Sequence, residues 1–115
     1  LPGLTSRSWR AIAPSGAFCV NILGADQAEL CWRFAKEPAE GESRFDGLDC
    51  TTAVTGSPIL PGVVGWIDCV VDKVVDAGDH QFVVGAVRDL SHGGDVSDAM
   101  VFFRGKVAGV RMPDA

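Results

Sequence analysis

The chain has 115 residues, of which 47% are hydrophobic and 22% charged, and its net charge is −5. This length corresponds to one domain, because domains most often contain about 100–150 residues. The ten basic residues are scattered and outnumbered by fifteen acidic ones, which argues against a nucleic-acid partner and against charge-driven membrane binding. No apolar run reaches the ~18–20 residues that a membrane span needs. The mean hydropathy of +0.20 is high for a small monomer and favours a subunit interface.

Neither the cysteines nor the histidines predict a metal site. The four cysteines are Cys19, Cys31, Cys50 and Cys69. They form no C-x-x-C pair, and the two histidines have no zinc-type spacing to them. No signal-peptide pattern is visible, so we expect reduced cysteines and a cytoplasmic location.

The first third of the chain predicts two short helices around one strand. A helix is expected over Thr5–Ala13, with Thr5 or Ser6 as its N-cap. The apolar run Ala17–Leu23 lies between glycines and predicts a strand. A second helix is expected over Ala25–Lys36, where apolar residues recur at helical spacing.

Acidic residues mark the start of this second helix and the segment after it. Asp26 and Glu29 have the spacing of a capping box. Residues 37–49 contain five acids, a proline and two glycines, which predicts a solvated loop.

The rest of the chain predicts strands. They are expected over Cys50–Val54, Val63–Val75, His80–Leu90 and Ala99–Val107. The odd positions of the long strand are the more apolar: Val63, Ile67, Cys69, Val71 and Val75. The turn 76–79 predicts a hairpin, and Ser91–Asp98 predicts a polar loop. The order of elements predicts an α+β, mostly β fold, in which a largely antiparallel sheet closes towards a barrel.

The common catalytic motifs are absent. The chain has no G-x-G-x-x-G, no P-loop and no G-x-S-x-G. Most carboxylates lie in expected loops, which is typical of a solvated acidic surface. One element remains, Gly78-Asp79-His80 at the hairpin turn, and alone it is typical of an ordinary turn.

Several segments taken together are more specific. In chain order they are Phe18-Cys19-Val20-Asn21-Ile22-Leu23, Ala25-Asp26-Gln27-Ala28-Glu29-Leu30, Arg33-Phe34-Ala35, Thr55-Gly56-Ser57-Pro58-Ile59-Leu60, the strand with Trp66 and Cys69, Ala77-Gly78-Asp79-His80, and Phe102-Phe103-Arg104-Gly105-Lys106. In this order and spacing they resemble the flavin reductase family, whose fold is the FMN-binding split barrel. The resemblance extends from Ser6 to about Val107. Family members are the small partners of two-component flavin-dependent monooxygenases.

The resemblance implies a homodimer that binds FMN or FAD and reduces it with NADH or NADPH. Hydride passes from nicotinamide C4 to flavin N5, and the reduced flavin goes to a partner monooxygenase. The cofactors carry this chemistry, which explains why the sequence shows no acid–base pair or nucleophile. The alternative is a split-barrel protein that binds flavin, or acts as a scaffold, without turnover.

The resemblance also implies flavin-binding residues near the start of the chain. By position they are Asn21 and, less directly, Ser6 and Ser8. The serines have an alternative role as helix caps, and Asn21 has one in satisfying neighbouring backbone. Asn21 is the stronger candidate because a polar side chain within a strand needs a partner.

The Gly-Asp-His element is implied to lie near the reactive face of the flavin, where the nicotinamide docks. His80 is therefore the candidate catalytic residue and pyridine-nucleotide contact, and Gly78 and Asp79 shape its turn. A neutral histidine can orient a nicotinamide without changing charge.

The resemblance finally implies about 40–50 residues before the position of Leu1, and a sheet without those strands has an open edge. We therefore expect residues 1–115 to form a single flavin reductase-like domain that is shorter at its start than other members.

Overall fold

The computed structural model describes residues 1–92 and 98–110. The elements in chain order are α1 (Arg7–Ile12), β1 (Ala17–Ile22), α2 (Ala28–Ala35), β2 (Thr51–Thr52), β3 (Pro58–Ile59), β4 (Gly65–Ala77), β5 (His80–His92), β6 (Ala99–Phe103) and β7 (Lys106–Val110). All the strand pairs in these ranges are antiparallel. The predicted mostly β architecture with two short helices is thereby confirmed. Within the same ranges, no helix has both the length and the apolar character to span a membrane.

The largest sheet is built on the hairpin of β4 and β5. Its strand order is β1-β4-β5, and two smaller sheets pair β2 with β3 and β6 with β7. The hairpin turns at Gly78, whose φ of +63° lies in the left-handed region that favours glycine. The predicted hairpin is confirmed, and β5 runs two residues beyond the predicted end at Leu90.

Strand β4 does not keep one apolar face. The pairing with β5 shifts register between Asp68 and Cys69 and again between Val71 and Lys73. The extra residue is Arg88 of β5 at the first shift and Asp72 of β4 at the second. The second shift turns the side chains of β4 after Asp72 to the other face, and Val75 is exposed. Asp68 and Cys69 are adjacent and both buried, so both faces of the sheet are covered at this point. The predicted alternation along the whole strand is wrong for this reason.

Helix α1 begins at Arg7, two residues after the predicted start, and ends at Ile12, one residue before the predicted end. The Ser6 hydroxyl accepts a hydrogen bond from the Trp9 amide at 3.2 Å, which identifies Ser6 as the N-cap. The chain continues as a 3-10 turn over Ala13–Ser15 and leaves it at Gly16, where φ is +71°.

Helix α2 begins three residues later than predicted, and the predicted capping box is wrong. The Ala25 amide donates to the Asp98 carbonyl at 2.9 Å, so this residue is tied to the start of β6 and not to a helix. Gln27 is the N-cap, and its side-chain oxygen accepts from the Gly24 amide at 2.9 Å. A tertiary contact has overridden the local signal for a helix start.

The last predicted strand is two strands. The expected single strand Ala99–Val107 is wrong because Arg104 (φ +51°) and Gly105 (φ +78°) turn the chain back on itself between β6 and β7. The predicted loop Ser91–Asp98 begins inside β5, and residues 93–97 lie outside the described residues.

The core lies beneath the segment that joins β2 to β4. Ile59, Leu60 and Val63 form its buried centre. The partly buried side chains that pack against it come from β1, α2, β4 and the connecting segments: Cys19, Leu23, Phe34, Leu48, Cys50, Ala53 and Trp66. Three residues of this core, Cys19, Phe34 and Leu60, also line the cavity described below.

Gly85 allows β5 to lie close to this part of the sheet. A Cβ at this position would lie 2.7 Å from the Phe18 ring and 2.9 Å from the Cys69 Cβ. We expect Gly85→Ala to lower the free energy of unfolding by about 1–3 kcal/mol, the usual cost of overpacking. Urea denaturation followed by tryptophan fluorescence measures it. Ala86→Ser, on an exposed neighbour, is the control, and equal midpoints for the two variants would contradict the expectation.

Candidate functional site

A cavity of about 730 Å³ opens between α1, β1 and the segments that follow α2 and β2. Ligand sites typically measure about 300–1,000 Å³, so this cavity is large enough for a cofactor-sized molecule. Its walls bring together residues far apart in sequence, from Arg7 in α1 to Leu60 after β3.

The greater part of the wall is apolar and partly aromatic. Ile12, Phe18 and Leu60 contribute to it, as do Phe34 and Phe45. The last two rings meet edge to face, with centroids 5.1 Å apart and planes at 75°. Such a surface suits a flat, apolar ring system that is removed from water on binding.

One end of the cavity is polar and carries two arginines. Arg7 Nη1 lies 2.9 Å from Glu37 Oε2, so a carboxylate already offsets its charge. Arg44 Nε donates to the Lys36 carbonyl at 2.7 Å, and Arg44 Nη1 donates to Ser8 Oγ at 3.4 Å. Among residues 1–92 and 98–110, Arg44 has no carboxylate within ion-pair distance. Its charge therefore remains available to an anionic ligand beside the Ser8 hydroxyl.

Asn21 lies in the wall and holds two segments together. Its Nδ2 donates to the carbonyls of Cys19 at 3.3 Å and Pro58 at 3.2 Å. Its Oδ1 accepts from the Leu60 amide at 2.8 Å. The alternative of satisfying nearby backbone is thus what the structure shows for this side chain, and a direct contact with a ligand stays a prediction.

The segment 55–58 is fixed to the sheet by a fully buried carboxylate. Asp68 in β4 is 0% exposed. Its Oδ2 accepts from the Thr55 amide at 2.9 Å, and its Oδ1 lies 2.5 Å from Thr55 Oγ1. Asp68 is not among the site residues that the sequence predicts. The signal was an acid between Ile67 and Cys69 in the apolar first half of the strand, because an aspartate is almost never fully buried unless it is paired.

The Gly-Asp-His turn lies outside the cavity wall. The Asp79 carbonyl accepts from the Leu4 amide at 3.0 Å, and His80 forms a β-bridge with Gly3. His80 is exposed, and its Nδ1 lies 2.7 Å from Asp79 Oδ1. With Gly78, these residues form a separate group against the first residues of the chain.

The predicted flavin contacts are divided between two places. Ser8 and Asn21 line the same cavity, whereas Ser6 is engaged as the cap of α1 and does not line it. The cavity therefore brings together two of the six predicted site residues, and three others lie at the β4–β5 turn.

The thiol of Cys19 in the cavity wall is not a reactive nucleophile. Cys19 lines the cavity, and burial followed by the nearby Asp68 carboxylate raises the pKa of its thiol. The same two causes raise the pKa of the Cys69 thiol. Both thiols are neutral near pH 7, and a neutral thiol is a poor nucleophile. Within the part of the chain that the structure describes, histidines, cysteines and carboxylates form no group of three that would hold a metal ion.

Known proteins share both the sequence and the fold. The model of the flavin reductase-like domain matches residues 2–111. A flavin reductase of Pseudomonas putida is 44% identical over 109 residues, which cover 95% of this chain and 62% of that protein. The reductase subunit HsaB of a flavin-dependent monooxygenase from Rhodococcus jostii is 42% identical over 113 residues, or 98% of this chain and 55% of that protein.

The solved structure of a homologue of nitrilotriacetate monooxygenase component B from Mycobacterium thermoresistibile superposes with a TM-score of 0.87 at 38% identity. The match covers 99% of this chain and 65% of that one. The chain thus spans less than two thirds of each of these relatives. The match confirms the split-barrel fold, and with the domain match over nearly its full length the chain belongs to the flavin reductase-like family.

Proposed function

We propose that this chain belongs to an NAD(P)H:flavin oxidoreductase that supplies reduced FMN or FAD to a partner monooxygenase. The observation that carries the proposal is the cavity, which joins an aromatic wall to a cationic end on a chain of this family. The reductase subunit from Rhodococcus jostii supports the monooxygenase partner. The proposal treats residues 1–115 as one flavin reductase-like domain.

The residues present fit a flavin. Phe34 and Phe45 offer an apolar surface of the kind that an isoalloxazine ring buries. Arg44 and Ser8 offer a charged and a neutral donor of the kind that a phosphate accepts. These two sets of groups line one cavity, as an amphipathic ligand with a flat ring and an anionic end requires.

When bound, a flavin would supply the redox chemistry, which is the acceptance of a hydride from NAD(P)H. The residues of the chain would have to bind and orient it and exclude water. The aromatic wall would shield the ring from solvent, and Arg44 and Ser8 would hold the phosphate. Asn21 keeps β1 and the segment 58–60 at a fixed separation, so the cavity keeps its width.

A homodimer and a cytoplasmic location are part of the proposal. The accessible surface is 8,059 Å², whereas a compact chain of this mass exposes about 6,000 Å². Large apolar side chains on β5 are exposed: Phe82, Val84, Val87 and Leu90. A second copy that covers this strand would remove apolar surface from water. The four free cysteines support a reducing compartment.

The first test follows flavin reduction directly. The purified protein is mixed with FMN under anaerobic conditions, NADH or NADPH is added, and the visible flavin absorbance is recorded. We expect the absorbance to fall faster than in a control without protein, because the site holds the flavin in a geometry suited to hydride transfer. Flavin that binds but bleaches no faster than the control would favour the alternative of flavin binding without turnover.

The cationic end is tested by removing the Arg44 charge. Arg44→Gln is expected to raise the Kd of FMN about three- to tenfold through loss of a charge-assisted contact. The Kd of riboflavin, which lacks the phosphate, should change by less than twofold. Fluorescence quenching of each flavin gives both constants. Arg10→Gln, an exposed arginine of the same helix as Ser8 that does not line the cavity, is the matched control. An equal effect on both flavins would show that Arg44 does not meet the phosphate.

The prediction for His80 separates nucleotide use from flavin binding. His80→Ala should raise the KM for the pyridine nucleotide at least threefold and leave the Kd of FMN within twofold, since His80 lies outside the cavity wall. Steady-state kinetics and flavin titration measure the two quantities. His92→Ala, at the far end of β5, is the control. Equal changes in both constants, or no change in either, would contradict the role.

A further inference from the structure

The buried carboxylate of Asp68 has no part in the function proposed above. It lies near the middle of the sheet, opposite Cys19 on β1 and Asp89 on β5. Within residues 1–92 and 98–110, no arginine, lysine or histidine forms an ion pair with it. Enclosing a carboxylate without a cation is costly, and only neutral hydrogen bonds offset that cost here.

Both of its oxygens are committed to one residue. The Thr55 amide donates to Oδ2 at 2.9 Å, and Thr55 Oγ1 lies 2.5 Å from Oδ1. Thr55 Oγ1 also lies 2.8 Å from Ser57 Oγ and accepts from the Ser57 amide at 3.2 Å. A chain of oxygens therefore runs from the buried carboxylate through Thr55 to Ser57, and Ser57 lines the cavity.

The direction of the protons along this chain follows from counting donors. The Thr55 hydroxyl has a single proton, and its contact with Asp68 Oδ1 at 2.5 Å is shorter than its contact with Ser57 Oγ at 2.8 Å, so the proton points to Asp68. Thr55 has no second proton for Ser57, so the contact between the two hydroxyls is a hydrogen bond only if Ser57 donates to Thr55. Ser57 then has lone pairs, and no proton, left for the cavity.

We propose that Asp68 is a positioning residue which, through Thr55, makes Ser57 a hydrogen-bond acceptor in the cavity wall. The matching ligand group is an N–H or O–H donor. This inference rests on the proposed function, because a flavin carries one such donor on its ring imide and others on its ribityl hydroxyls. Ser57 thus accepts a hydrogen bond from the ligand, whereas Arg44 binds the anionic group of the ligand in the same cavity.

The hydrogen bonds from Asp68 through Thr55 to Ser57 form a relay, and Thr55 at its middle offers a matched pair of variants. Thr55→Val keeps the shape of the side chain and removes the hydroxyl, whereas Thr55→Ser keeps the hydroxyl. We expect Thr55→Val and Ser57→Ala each to raise the Kd of FMN about three- to tenfold, as the loss of one hydrogen bond does. Thr55→Ser should stay within twofold of the unaltered protein. Fluorescence titration of FMN gives these constants, and urea denaturation checks that each variant is folded.

A double-mutant cycle tests whether Asp68 acts through Ser57. Asp68→Asn is expected to weaken FMN binding to the same extent as Ser57→Ala, and Ser57→Ala in the Asp68→Asn background should add less than twofold. Asp89→Asn, an exposed acid on the next strand, makes the same change of charge and should leave the Kd unchanged. If Asp68→Asn does not fold, the Thr55→Val background replaces it in the cycle.

The outcomes separate this inference from the proposed function. An unaltered protein that binds no flavin would refute the proposed function. If the unaltered protein binds flavin but the effects of Asp68→Asn and Ser57→Ala on the Kd multiply independently, only the relay is refuted. Equal affinities of Thr55→Val and Thr55→Ser would also refute it. Lumiflavin keeps the ring imide and lacks the ribityl chain. If the Ser57→Ala effect persists with lumiflavin, the donor is the ring N–H, and if it disappears, the donor is a ribityl hydroxyl.

Discussion

The antiparallel pairing of β4 along both of its edges is the constraint on which the cavity depends. Six residue pairs hold β1 against β4, and this fixes Asn21 in the wall. From the middle of β4, Asp68 holds Thr55, and from β1 Asn21 holds Leu60. The segment between them is therefore attached to the sheet at two points. A slip of one residue between the strands would turn these side chains to the other face and release the segment.

Short sequence patterns were sufficient to predict an element where the residues that specify it lie within it or next to it. The glycines around β1, the serine before α1 and the glycine of the β4–β5 turn each act within a few residues, and these elements lie where the sequence predicts them. The start of α2 was mispredicted because the Ala25 amide is bound by Asp98, which is far away in sequence. The two register shifts between β4 and β5 were not visible either, since they arise from the pairing of the two strands. The β6–β7 turn carried a signal in Gly105, but the surrounding β-forming residues concealed it.

The residues of the site show the same difference between local signals and contacts that are distant in sequence. Asn21 was identified because it lies in a motif with a recognisable order, and Ser8 was identified less directly, from its position before that motif; both line the cavity. Arg44 and Asp68 were not identified, because neither belongs to a motif and each acquires its role through a partner distant in sequence. Arg44 reaches Ser8 across 36 positions, and Asp68 reaches Thr55 across 13. Sequence patterns report periodicity and local spacing, whereas such contacts exist only once the sheet has formed.

The charge of the chain and the charge of the site have opposite signs. The net charge of −5 argues against a nucleic-acid partner, but a ligand with one or two phosphates needs only a local cation. At physiological ionic strength charges beyond about 8 Å are largely screened, so the nearest groups determine what an anion encounters. In the acidic stretch 37–49, Glu37 is bound by Arg7 and Asp46 accepts from the Ser43 amide. Two acids of this stretch are thus engaged with other donors, and the segment predicted as a solvated acidic loop supplies Arg44, one of the two arginines of the cavity.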